Sequence, residues 1–327
     1  MGFDAVDRHR YILGLAYDTQ TTKPDVFLSY ETRPLGALTL GFSGSYVTGA
    51  TSTVNDEITQ YRRELDTSAY AYYSFRSLYG AFTPQISVNA ERNFVYTPSV
   101  SEDPVARSRY VPSLDASLGY ATSESSRLAI ATEGGRTIRM GARAYRDSED
   151  VVYKGVVTAT EYLRITDHSV LIPSLKASKV SHRSTRFFDG NVVLSGRIPR
   201  IYDSLAGAGF DELGIRGYPG HVFLAREAAV GALDYRFPIA RIFRGWGTNP
   251  AFLENLEGFV FGESVYIPFG RLGTKTLSSA GGGLKLTATV LSRVPLDLSL
   301  QYHRGFRENL GGRGEVFAAV NLGVLPF

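Results

Sequence analysis

Leu296-Asp297-Leu298-Ser299-Leu300-Gln301-Tyr302-His303 alternates apolar and polar side chains without interruption. Successive side chains of a β-strand point to opposite faces, so this stretch has one greasy face and one wet face. Tyr11 to Asp18 repeats the pattern. Tyr11, Leu13, Leu15 and Tyr17 stand against Ile12, Gly14, Ala16 and Asp18, with tyrosines at both ends of the apolar stripe. Aromatic rings at the two ends of a stripe suit the two interfaces of a bilayer. A soluble sandwich also alternates, but its strands are about 5–6 residues long and its inner faces are rich in large aliphatic side chains. Here the strands are long and the second face carries Ser, Thr, Gly, Asp, Arg and Gln, which suits a water-filled lumen. The reading is an all-β chain forming a transmembrane antiparallel β-barrel.

Carried along the chain, this template gives strands near 8–18, 25–33, 36–48, 64–76, 79–93, 110–121, 127–146, 151–164 and 168–181. Five more fall near 226–237, 256–268, 277–291, 294–304 and 315–327. The stretch 127–146 contains Gly134-Gly135 and reads as one bulged strand or two short ones. Parity gives a count of about 14, with 16 as the neighbouring even number. Short turns, such as Thr32 to Gly36 and Arg76 to Gly80, alternate with longer polar loops at Thr48 to Glu57 and Asn93 to Arg109. That alternation is expected of periplasmic turns and extracellular loops.

Composition agrees. The 327 residues carry 35 Lys+Arg against 32 Asp+Glu, no cysteine, 34 glycines and 20 tyrosines. A net charge of +3 spread over both signs gives no nucleic-acid footprint, and without cysteine there is no disulfide framework or thiolate metal site. A mean hydropathy of −0.09 is the average expected of a lipid face and a wet face. No apolar run approaches the roughly 18 residues of a membrane-spanning helix. The five histidines (His9, His168, His182, His221 and His303) fall at no metal-ligand spacing. Gly281-Gly282-Gly283 lies inside an alternating strand and lacks the spacing of a phosphate loop. The acidic run Asp147 to Asp150 reads as a solvated turn. No nucleophile elbow or paired acidic cluster stands out, so no enzyme, cofactor or metal is expected. One domain is expected over 1–327, interrupted by a loop at about 181–225.

That loop holds Leu213-Gly214-Ile215-Arg216-Gly217-Tyr218-Pro219, and the strand after it ends Leu233-Asp234-Tyr235-Arg236-Phe237-Pro238. Loops above about 12–15 residues are usually functional or disordered. An arginine in a partly desolvated lumen needs a carboxylate, and Asp234 shares the lumen face of its strand with Ala232 and Arg236. The arrangement resembles the barrel of the outer-membrane assembly and two-partner secretion superfamily, the surface-antigen family of BamA-like insertases, secretion pores and patatin-linked barrels. Its hallmark is a (Val/Ile/Leu)-Arg-Gly-(Phe/Tyr) tip on a loop folded into the lumen, here Ile215-Arg216-Gly217-Tyr218.

The resemblance implies that Arg216 pairs with Asp234, that Gly217 makes a tight turn and that the Tyr218 ring packs on the wall. It also brings out a departure. The family's Phe-Val-Asp-x-Gly stretch is here Phe259-Val260-Phe261-Gly262-Glu263, so Phe261 stands where the second acid would be and Glu263 is the candidate substitute. The last strand ends in Phe327, similar to the terminal aromatic read by bacterial barrel-assembly machinery. It is out of step with Val316, Ala318, Val320, Leu322 and Val324 unless Pro326 marks a bulge.

The family has 16 strands, and Asp4 to Arg10 resembles the turn into its third. The polar N-terminus has no signal-peptide core, so the expectation is a chain whose first two strands and a periplasmic domain lie upstream. The implied location is the bacterial outer membrane, with lipid, lipopolysaccharide and client polypeptides or an upstream periplasmic domain as partners. The implied function is insertion or translocation of other proteins, with client strands added at a barrel seam rich in strand-weakening residues such as Gly311, Gly312, Gly314, Gly323 and Pro326. Two alternatives are an anchor and exit route for an upstream domain such as a patatin-like lipase, and a passive solute pore.

Overall fold

The computed structural model describes residues 2–3, 8–18, 23–54, 57–96, 106–107, 110–122, 124, 132–147, 150–181, 192–195, 212–218, 222–245, 251–268, 274–290 and 294–322. Fourteen strands form the wall: β1 (His9–Asp18), β2 (Lys23–Leu35), β3 (Leu38–Val54), β4 (Glu57–Tyr73), β5 (Gly80–Tyr96), β6 (Val111–Ala121) and β7 (Gly135–Asp147), then β8 (Asp150–Thr166), β9 (Ser169–Val180), β10 (Glu227–Gly245), β11 (Ala251–Pro268), β12 (Thr274–Val290), β13 (Val294–Gly305) and β14 (Gly314–Leu322). Each pairs antiparallel with the next in sequence. Gly2–Phe3 adds a short antiparallel pairing on the far side of β1, against Arg10 and Tyr11. Among the described residues β14 pairs only with β13, and the only helix is one 3-10 turn at Glu308–Leu310.

The pattern of burial is inside out. In β13 Leu298, Leu300 and Tyr302 are exposed, Leu300 by 54% and Tyr302 by 47%, whereas His303 on the other face is 2% exposed. In β8 the exposed residues Val151, Tyr153 and Val157 alternate with buried Val152, Lys154 and Val156. A soluble sandwich would bury the large apolar side chains; here they form the outer face, the arrangement of a membrane barrel. The inner face is polar and paired. Arg143 makes a two-pronged contact with Asp115, both bonds 2.8 Å. Lys285 lies 3.7 Å from Glu257 and 3.2 Å from Asp297, and Glu133 meets both Arg164 and His168.

Several boundaries differ from the sequence expectation. Thr48 to Glu57 is not a long loop, because β3 runs to Val54 and β4 starts at Glu57 with register shifts between them. Its Thr, Gly and Ser residues carry no apolar alternation, yet backbone bonds propagate the ladder without one. The strand expected over 127–146 starts at Gly135, preceded by a single bridge between Glu124 and Gly134. β10 continues eight residues beyond the expected end at 237, past Pro238. Proline cannot donate to the ladder, and a register shift between Pro238 and Ala240 absorbs it.

The lumen face is not uniformly wet either. At the end where the long insert enters, Val180, Ala228, Val230, Val265, Ile267 and Leu277 form a buried apolar cluster with residues of the insert. Their water is displaced by protein, so the alternation of polar and apolar rows lapses there.

These faces make opposite demands on charge. Leu300→Arg, on the outer face of β13, is expected to destabilise the barrel by roughly 2–4 kcal/mol in vesicles. Ser299→Arg, on the lumen face, should stay within about 1 kcal/mol. Urea unfolding titrations in lipid vesicles measure both, and equal costs would contradict the assigned faces.

Candidate functional site

Within the insert, Val192–Ser195 pairs in parallel with Glu212–Gly214 and antiparallel with Val222–Ala225, making a small three-stranded sheet. Leu213 and Ile215 leave it pointing into the apolar cluster, 2% and 1% exposed. Burying side chains of this size stabilises by about 1.5–3 kcal/mol each. They clamp the insert to the inner face of the wall, and Arg216, between Ile215 and Gly217, lies over two rows of wall residues. In one row Asp234, Phe261, Gly281 and His303 stand side by side on β10 to β13; in the other, Ala232, Glu263, Ser279 and Gly305 do.

Arg216 Nε donates to Glu263 Oε1 at 2.5 Å and its backbone N–H donates to Glu263 Oε2 at 3.0 Å. Its Nη2 donates to Asp234 Oδ1 at 3.0 Å. Ser279 Oγ also donates to Glu263 Oε2, at 3.2 Å. The structure thus brings Arg216, Asp234 and Glu263 together, with Glu263 making the larger share of the contacts. Phe261, which stands where the family resemblance places an acid, lies under the guanidinium with its ring centroid 3.4 Å from Arg216 Cζ. It also presents its ring to His303 edge to face, at 5.3 Å and 85°. A guanidinium between two carboxylates and an aromatic face is held by charge, hydrogen bonds and the ring quadrupole together.

Phe261 was missed as a participant because only the tertiary structure places Arg216 on it. A signal was present in the strands. Phe261 pairs with Gly281 and Phe259 with Gly283, and a Cβ on Gly281 would come within 2.8 Å of the Phe261 ring. The glycines leave room for inward-facing rings.

Gly217 and Tyr218 tie the tip to the last hairpin of the wall. Gly217 has φ of 78°, a left-handed conformation that favours glycine. A Cβ there would lie 2.4 Å from Gly305 N, so the two backbones touch. Gly217 O accepts from Arg313 N–H at 3.1 Å. The Tyr218 hydroxyl donates to Ser278 O at 2.9 Å and accepts from Arg307 N–H at 3.3 Å, and its side chain is fully buried. The residues 305–314 that link β13 to β14 are therefore held by the insert; neither this hairpin nor Ser279 was anticipated. Phe327 lies outside the described residues.

Among known proteins, no family description and no curated sequence matches this chain, but solved structures do. CdiB from Escherichia coli superposes with a TM-score of 0.64 at 12% identity, over 91% of this chain and 52% of that one. BamA from Haemophilus ducreyi lacking POTRA domains 1-3 superposes at 0.58 and 12% identity, over 91% of this chain and 62% of that one. CdiB from Acinetobacter baumannii gives 0.58 and 12%, over 96% of this chain and 53% of that one. The fold is that of the BamA and CdiB structures. This chain spans little more than half the length of those structures.

Removing Arg216 leaves Glu263, whose side chain is 8% exposed, without its counter-charge. Arg216→Ala is expected to lower stability by roughly 3–5 kcal/mol, and Arg216→Lys to restore only part because an ammonium cannot fork between two acids. The temperature at which the folded band shifts on semi-native gels reports both. An unchanged transition in Arg216→Ala would show that the insert is held by its apolar contacts alone.

Proposed function

We propose that residues 1–327 are the membrane barrel of a bacterial outer-membrane protein insertion or translocation factor, and that client strands add at the seam between the first and last wall strands. The observation that carries this reading is the insert tip. Ile215, Arg216, Gly217 and Tyr218 span β10 to β13 and also hold the hairpin leading into β14. A plug anchored in this way braces the wall on one side and sets the position of an edge strand on the other. Among the described residues β14 pairs only with β13, and an edge with unpaired backbone groups can accept another strand. Backbone hydrogen bonds supply the recognition, so the step needs no base, nucleophile or cofactor. A periplasmic domain beyond residues 1–327 would deliver the client, and Phe327 would serve the barrel's own assembly. The fold similarity to BamA and CdiB supports the reading.

A photo-crosslinker at Val316, exposed on β14, is expected to capture nascent client polypeptides, while the same group at Met140 on β7 captures none. Equal capture at both positions, or none at Val316 while clients still assemble, would remove the seam from the mechanism. Planar-bilayer recordings test the lumen. Low conductance that rises in Arg216→Ala fits an anchored plug, whereas large, steady conductance insensitive to Arg216→Ala identifies a passive solute pore. If deleting any upstream domain abolishes function without affecting client strands, the barrel is only that domain's anchor and exit route.

A further inference from the structure

On the outer face, two arginines stand apart from the paired charges of the lumen. The β4–β5 ladder sets Arg63 opposite Phe94 and Leu65 opposite Arg92, so the arginines are diagonal neighbours, roughly 7–8 Å apart along the ladder. Both face outward. Phe82, Ile86 and Val88 precede Arg92 on the exposed side of β5, and Leu40 and Phe42 precede Tyr46 on that of β3. Arg63 Cζ lies 4.2 Å from the centre of the Tyr46 ring, and Arg92 Cζ lies 5.0 Å from those of both Phe94 and Tyr110. Along each strand the patch begins where the exposed apolar band ends, at the end of the barrel that the long insert enters.

Among the described residues neither arginine has a carboxylate partner. Arg63 donates Nη2 to the Pro24 carbonyl at 3.3 Å, and the Nε atoms of both arginines are buried without an acceptor. An outward cation costs least near the interface and gains most there from anionic head groups. The rings fix the guanidinium planes, and a guanidinium fork suits phosphate oxygens. The two also reach in opposite directions, Arg63 across β3 towards β2 and Arg92 towards Tyr110 beside β6. One small phosphate cannot serve both, whereas a head group with two separated phosphates can.

We propose that Arg63 and Arg92, framed by Tyr46, Phe94 and Tyr110, form a binding site for the two phosphates of the lipid A portion of lipopolysaccharide. The naming of the leaflet rests on the outer-membrane reading above. The charge and the divergent reach of the two side chains do not.

The test is native mass spectrometry of the full chain in detergent micelles, titrated with bisphosphorylated lipid A, monophosphorylated lipid A and phosphatidylglycerol. The wild type is expected to retain one bisphosphorylated lipid A in preference to the other two. Arg63→Ala and Arg92→Ala should each weaken it roughly fivefold, and the double variant about thirtyfold. Arg63→Gln with Arg92→Gln, which keeps the stems over the rings, should show the same loss with an unchanged gel-shift temperature, separating binding from folding. Undiminished binding in the double Gln variant, or phosphatidylglycerol binding as tightly as lipid A, overturns the proposal. Surface labelling of intact cells tests the outer-membrane reading independently, because lipid A binding in micelles does not depend on where the chain resides.

Discussion

A backbone N–H or C=O facing hydrocarbon has no water to bond, and every one left unpaired costs several kcal/mol. The wall strands answer that constraint by pairing antiparallel, each with the next, and the continuity of the ladder matters more than the side chains on it. It explains why Pro238 is absorbed by a register shift and does not end β10. With the backbone satisfied by its neighbours, side chains sort by face. Leu300 and Tyr302 meet the outside and His303 the inside, and charges gather in the lumen in pairs.

The insert adds a second demand of the same kind. Arg216 is carried inward on a segment whose apolar residues displace water from the upper wall, so its charge must be met by protein. Glu263 and Asp234 meet it from adjacent strands, and Phe261 fills the space beneath. The same packing brings Gly217 against Gly305 and binds the hairpin before β14. Coupling between plug and edge strand is therefore built from contacts on both sides of a single tight turn. The outer arginines Arg63 and Arg92 obey the converse rule: facing away from the lumen, they settle on aromatic rings at the rim of the apolar band.

Much of this was legible in the sequence, and the exceptions have physical causes. Alternation in β1, β8 and β13 carries the membrane-facing stripe directly, because a period of two assigns each side chain to a face whatever its neighbours do. The Ile215 to Tyr218 motif and the acid at Asp234 could be paired from the need of a desolvated arginine for a carboxylate. Glu263 could be named only as a candidate, since strand phase gives its face but not its reach. In the sequence Phe261 is only the loss of an acid, whereas in the fold its ring is part of the seat.

Alternation, glycine and aromatic placement, and the charge of the insert are local properties, so the chain's own order of residues suffices for an outward apolar wall, a polar lumen and an arginine brought inside. What sits on what required the tertiary structure. The apolar lumen patch formed by Val180, Val230, Val265, Ile267 and Leu277 contradicts a wet interior until the insert is seen to cover it. The union of Arg216 with Glu263, Phe261 and the β13–β14 hairpin joins residues up to about 100 positions apart. Register between strands and the path of the insert set those contacts, and neither is encoded in any single stretch of the chain.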